Sequence, residues 1–240
     1  MNRQAQAAVL FLTGGAILHT GLTDLYLRYV KAGLRPLLLA AGVVLIAAAT
    51  ATVWYERRAQ RTDAHAEVHP HREPRIAWLM ALPLLALVLV APPALGSYSA
   101  MRTGTALQKQ PWGFADLPAG DTVRLSLVDY AGRAAYDHGR SLDNRRITTA
   151  GFLAVGSDGT PYLVRMALSC CAADAQPVKI GLTGHTPTVL RPDTWLEVTG
   201  TYTTKHTKDP VNEGIIPFLK VTEAKPTKAP RDPYDESWNG

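Results

Sequence analysis

Cysteine is nearly missing from this chain: there are two in 240 residues, and these two, Cys170 and Cys171, are adjacent. A disulfide between neighbours strains the peptide that joins them, and neither thiol has another partner in the chain, so a disulfide framework is excluded. The compact signatures of common chemistries are missing too. The sequence holds no nucleophile elbow, phosphate-binding loop, dinucleotide fingerprint or paired-histidine metalloprotease helix. Hydrolase, nucleotide-dependent and metalloprotease readings lose their usual warrant, and the chain is expected not to be an enzyme. Strong charge is missing from its second part: nine Lys/Arg stand against five Asp/Glu through residue 100, and sixteen against fifteen beyond it. Without a basic field to neutralise phosphates, nucleic acid is not an expected partner.

Long hydrophobic runs are what the sequence does have. Leu37–Tyr55 and Ile76–Leu95 carry no acidic or basic side chain, and each matches the ~20 residues that a helix needs to cross hydrocarbon. A third run, 6–27, is mostly apolar but contains His19 and Asp24 and leads into Tyr26 and Tyr29. Three spans are expected, at about 6–27, 37–55 and 76–95. A cleaved signal peptide is the competing reading of the first run, weakened by the lack of a small-residue cleavage site before the tyrosines. The densest arginine cluster, Arg57, Arg58, Arg61, Arg72 and Arg75, lies between the last two runs. The positive-inside rule keeps that loop cytoplasmic, so a multi-pass protein of the cell membrane with an extracytoplasmic C-terminal part is expected.

Residues 1–96 therefore form the membrane region. Gly96, Gly104, Pro111, Gly113 and Pro118 punctuate a tether over 97–117, where packing on the domain is the expectation for Trp112 and Phe114. From 118 to 225 the pattern is short strands: TVRLSLVDY, ITTAGFLAV, YLVRMAL, PVKIGL, WLEVTGTY and IIPFLKVTEA, separated by turn residues. The fold class is an α-helical membrane region followed by an all-β, OB-like barrel, with a β-sandwich left open by the spacing alone. The expected core is Val123, Leu125, Leu127, Phe152, Val155, Leu163, Met166, Leu168, Ile180, Trp195, Val198, Tyr202 and Phe218. Residues 226–240 are a proline-rich tail, extended along the domain to Tyr234.

The segment CCAADAQP falls between YLVRMAL and PVKIGL, where a helical turn fits. Four readings of the cysteine pair stand side by side: one thiol packing into the core while the other caps the turn, a soft-metal ligand pair with Asp174 or a histidine, a redox-active pair, and an intermolecular contact. Asp174 shares a face with Cys171 if the segment turns helically. A soft or borderline metal ion is the candidate cofactor. His65, His69 and His71 are weaker metal candidates, since Pro70 and Pro74 break the helix that would align them. His138, His185 and His206 fall in expected turns. Asp129, Asp137, Asp143, Asp158 and Asp193 sit in polar turn sequence and read as turn formers rather than as a catalytic carboxylate pair.

The stretches RYVKAGLRPLLLAAGVVL, GFLAV, YLVRMALSCCAADAQPV, DTWLEVTGTY and IIPFLKVTEAKPTKAPRDPY together resemble an uncharacterised bacterial family of two-component permease subunits. The Cys-Cys-Ala-Ala-Asp-Ala run is the most specific element of that resemblance, which extends over nearly the whole chain. It implies an OB-like C-terminal part and a separate multi-span permease as partner. The function expected is thus a non-catalytic accessory subunit whose external domain binds or passes a solute or metal ion. The alternative is a thiol-based redox or metal-sensing membrane protein that works without a transport partner.

Overall fold

The computed structural model describes residues 3–62, 82, 85–86, 90, 93–107, 113–186 and 191–234. The chain divides into two compact units, one of Met1–Tyr26 with Val30–Pro93, the other of Leu27–Tyr29 with Ala94–Gly240.

In the first unit, α1 (Arg3–Leu22) and α2 (Arg35–Thr62) form an antiparallel pair. Gly14 lies against Ile46 and the backbone of Gly42, and Gly42 lies against Leu18, with no room for a Cβ at either position. Small residues let the two backbones approach closely, the device that brings helices together where no hydrophobic drive exists between them. At the turn, the Arg35 Nε donates to the Gly21 carbonyl at 2.9 Å, and the guanidinium sits over the Tyr26 ring. Both helices are long and apolar enough to cross a membrane. The first ends at Leu22, earlier than the expected Leu27, because Asp24 opens a separate 3-10 turn, Asp24–Arg28. The third expected span, Ile76–Leu95, falls outside the described residues but for isolated positions, as do His65, His69 and His71.

The second unit is a closed barrel of five strands: β2 (Arg146–Val155), β3 (Pro161–Ala167), β4 (Gln176–Gly184), β5 (Trp195–Lys208) and β6 (Ile215–Pro226). The order is β2-β3-β4-β6-β5, closed by β5 on β2, with β4 and β6 parallel and the other barrel pairs antiparallel. That Greek-key closure is the OB arrangement and removes the sandwich alternative. A three-residue strand, β1 (Thr122–Arg124), pairs in parallel with the start of β2. β2 closes the barrel by dividing its length, pairing through Ile147–Phe152 with β5 and through Phe152–Val155 with β3. Gly151 stands at the changeover, where a Cβ would strike the Val164 carbonyl.

One expected strand is only partly a strand. TVRLSLVDY leaves the sheet after Arg124, and Ser126 caps the helix Leu127–Tyr136 by accepting from the Asp129 N–H at 3.0 Å. Leu127, Tyr130, Ala131 and Ala134 recur at helical spacing and enter the barrel core. Tyr130 is fully buried, and its hydroxyl donates to the Phe218 carbonyl at 2.7 Å. Burial, with a lesser contribution from Tyr202, pushes this phenol well above its ordinary range, so it stays a donor.

Strands β2, β3 and β4 are buried on both faces, whereas β5 and the second half of β6 keep one face open. Ile147, Leu153, Leu163, Ile180, Val198 and Leu219 fill the interior. Phe152, Ala154, Tyr162, Val164, Met166 and Ile216 form an outer layer, covered by Ala100 of a short helix (Ser97–Arg102) and by Tyr234. Within the stretch read as a tether, residues 97–107 thus pack on the barrel. The buried pair Lys179–Asp209, 2.7 Å apart, anchors them: Lys179 Nζ donates to the Thr103 carbonyl and Asp209 Oδ2 accepts from the Thr105 N–H. Of the expected core, Val155, Leu168, Trp195 and Tyr202 are only partly buried. The expected tail follows the domain as far as Tyr234, whose hydroxyl donates to the Arg28 carbonyl and accepts from the Leu95 N–H; 235–240 lie outside the described residues.

Candidate thiol–carboxylate site

Where β3 ends, the chain turns back toward β4 through a single 3-10 turn, Ala172–Asp174. Cys171, extended at φ −151°, holds the cap position, and Asp174 is the third residue of the turn. A carboxylate there reaches back to the N–H groups that a helix start leaves unpaired. Asp174 Oδ1 accepts from the Ser169 N–H at 2.8 Å, and Oδ2 accepts from the N–H groups of Cys170 at 2.8 Å and Cys171 at 3.2 Å. The turn is further fixed by the Ala172 N–H, which donates to the Tyr29 carbonyl at 2.7 Å.

This wrapping brings both thiols and the carboxylate together, with their ligand atoms all within 4.8 Å of one another. Cys170 is exposed and Cys171 half-exposed, so neither thiol packs in the core, while Cys171 does cap the turn as the same reading had one cysteine do. The Cys170 thiol hydrogen-bonds to Asp174, and this bond is the main reason that the thiol is pushed up to about 11, with Cys171 adding to it. The same bond, joined by the backbone N–H groups, holds the Asp174 carboxyl down at about 2. At neutral pH the group is therefore a carboxylate with a protonated Cys170 beside it. A metal ion would have to displace that proton.

The donor set fits a soft or borderline ion. Thiolates at ~2.3 Å and a carboxylate at ~2.0–2.2 Å supply three positions of a tetrahedron and leave a fourth open. Asp174 keeps its backbone bonds while a further lone pair remains for a ligand. Among the described residues no histidine joins the group. His206 bonds within its own strand to the Thr204 carbonyl, and His138 occupies a left-handed turn position after the barrel helix. Asp137 and Asp158 organise turns by accepting from the N–H groups of Ser141 and Thr160, while Asp193 accepts from the Ser97 N–H. Asp129 differs from that expectation: it lies in a helix and pairs with Arg133.

Two features escaped the sequence reading. Cys-x-x-Asp is a capping-box spacing with cysteine in the place of serine, and that signal was available. The Tyr29 carbonyl had no signal, since a backbone acceptor distant in the chain leaves none.

Residues 132–235 match the DUF1980 C-terminal domain, an uncharacterised family; the matched stretch includes the five barrel strands and Cys170, Cys171 and Asp174. Comparisons with curated proteins and with solved structures give no match.

Proposed function

We propose that the protein is a non-catalytic accessory subunit of a membrane permease, and that its extracytoplasmic β-barrel holds a soft or borderline metal ion, or a solute carrying one, at Cys170, Cys171 and Asp174. The observation that carries this reading is the convergence of two accessible thiols and a carboxylate on one preorganised turn of a domain that follows apolar helices of spanning length. Three further points support it. The outward faces of the helices are apolar, with Trp54 and Tyr55 near the arginines at the end of α2 as an interfacial anchor would have them. A few nearly uncharged spans do not line a pore by themselves, which calls for a separate multi-span subunit. The OB face that commonly takes oligonucleotides or glycans, on the second and third barrel strands β3 and β4, is covered here by residues 94–107, so the exposed chemistry shifts to the β3–β4 turn.

Two measurements test the proposal. Purification from native membrane should carry a multi-span permease along with the chain, and elemental analysis of the reduced full-length protein should find stoichiometric metal that is lost in the Cys170→Ser/Cys171→Ser variant. A protein recovered alone, free of metal after titration with zinc, copper(I) and cadmium, would sink both halves. Metal without a partner would favour the sensing alternative.

A further inference from the structure

Resting on the metal reading of Cys170, Cys171 and Asp174, we propose that this turn is a hand-over site rather than a storage site. It holds its ion by those three donors and leaves one side open to a thiolate of the acceptor, so that the ion leaves by ligand exchange. All three donors come from one short stretch, 170–174, at the β3–β4 turn. Their ligand atoms lie within 4.8 Å of one another, and among the described residues no further His, Cys, Asp or Glu joins them. Closed structural sites surround an ion with four protein donors, whereas sites that exchange a ligand keep three and an open position. Donors carried by a single turn approach the ion from one side. The other side is left to solvent, as the exposure of Cys170 and the half-exposure of Cys171 require.

The turn is also held in a form that does not fold over the ion. Cys171 is fixed in the cap position, Asp174 accepts from the N–H groups of Ser169, Cys170 and Cys171, and the Ala172 N–H is tied to the Tyr29 carbonyl at 2.7 Å. A donor set ordered in advance takes up an ion without first ordering the chain, and gives it up without unfolding.

The chemistry of the donors orders the release. An ion selected by two thiolates is soft or borderline, so the acceptor group that competes for it is another thiolate rather than an oxygen. The first acceptor thiol bonds to the ion through sulfur and gives up its proton. The bond to Asp174, the hardest of the three donors, breaks first, and the carboxylate keeps the backbone N–H bonds that it already has. A second acceptor thiol then displaces Cys170 and Cys171, which take up the two protons that the acceptor thiols released. The oxidation state of the ion does not change.

Cadmium loaded into the full-length protein, reduced with a phosphine and held in detergent, tests the hand-over through thiolate-to-cadmium absorption in the ultraviolet. 2-Mercaptoethanol should raise that absorption saturably, by about half as a third sulfur joins the two of the barrel, measured against the same addition to Cys170→Ser/Cys171→Ser, while the cadmium stays with the protein on ultrafiltration. A short peptide carrying two cysteines should instead take the cadmium away, at a rate that rises in proportion to the peptide concentration, the mark of attack at an open position. Cadmium that does not bind, or that binds equally in the double variant, overturns the metal reading and the hand-over with it. Cadmium held by both cysteines that gains no absorption from 2-mercaptoethanol, or that passes to the peptide at a rate independent of peptide concentration, overturns the hand-over alone and leaves the metal site standing.

Discussion

In the helical unit Phe11, Leu37, Val44 and Trp54 leave more than half of their surface uncovered, whereas in the barrel unit Leu153, Leu163, Ile180 and Leu219 are exposed by 1% or less. The two regions draw on the same apolar residue types and dispose of them oppositely. A helix satisfies its own backbone and can turn its side chains outward into lipid; a strand satisfies its backbone only through neighbours, so its side chains are stacked into layers. Cohesion differs accordingly. Glycine contacts hold the helix pair, while two apolar layers and a buried ion pair hold the barrel.

The largest effect expected of a single change is in the barrel. Lys179→Met leaves the Asp209 carboxylate buried and unpaired and frees the Thr103 carbonyl, and should cost ~3–5 kcal/mol of barrel stability. A denaturant melt of the full chain followed by near-ultraviolet circular dichroism measures it, and the helical far-ultraviolet signal should persist. A loss under ~1 kcal/mol would mean that the apolar layers alone hold 97–107 in place. The corresponding change in the helix pair is Gly42→Leu, which inserts a side chain where Leu18 and the Gly14 backbone already lie. Overpacking of this kind costs ~1–3 kcal/mol. Spin labels at Leu22→Cys and Leu37→Cys in a background without the native cysteines should move apart while the barrel melt stays put; an unchanged distance would deny the glycine contact its role.

Ser126→Ala removes the cap of the barrel helix and should lower stability by ~1 kcal/mol, read as a fall in melting temperature without a change in fold. At the exposed turn the expected effect is on reactivity rather than on stability. With its thiol raised to about 11, Cys170 should alkylate slowly at neutral pH and faster as pH approaches that value. Asp174→Asn should shift the profile toward lower pH and speed alkylation at pH 8 by roughly tenfold or more, since the anion beside the thiol is gone. Asp174 itself, lowered to about 2 from an ordinary 3.8, favours the folded turn above its ordinary value. That contribution is lost as pH falls through about 2. Amide exchange at Ser169–Cys171 should quicken over that acid window; exchange that does not vary there would deny the carboxylate its hold on the turn.

Much of this comparison was legible in the residues. An uncharged run of spanning length marks α2 and a mostly apolar one marks α1 without reference to anything else, and period-two alternation with turn residues marks β2 through β6. The grouping of Cys170, Cys171 and Asp174 was legible as well, because one turn supplies all three. Thr122–Tyr130 was misread as a single strand because Leu125 and Leu127 continue the alternation of Val123; the Ser126–Asp129 cap breaks it, and a three-residue spacing is easily lost inside a period of two. The covering of β2 and β3 by 97–107 was not legible, since the glycines of that stretch suggest freedom while Lys179 and Asp209, which hold it, lie far along the chain.

By itself the sequence determined the two regimes: where the chain suits hydrocarbon, where it forms strands, and which residues its most distinctive turn carries. These are local properties, set by hydrophobic period, side-chain charge and the reach of a carboxylate across one turn. Only the tertiary structure decided how the strands close, with β5 returning to β2, and that Arg133 is buried beside Asp129. It also decided that the cysteines face outward. Such outcomes depend on contacts between residues tens of positions apart, whose energies exist only once the barrel has closed and displaced water from its interior.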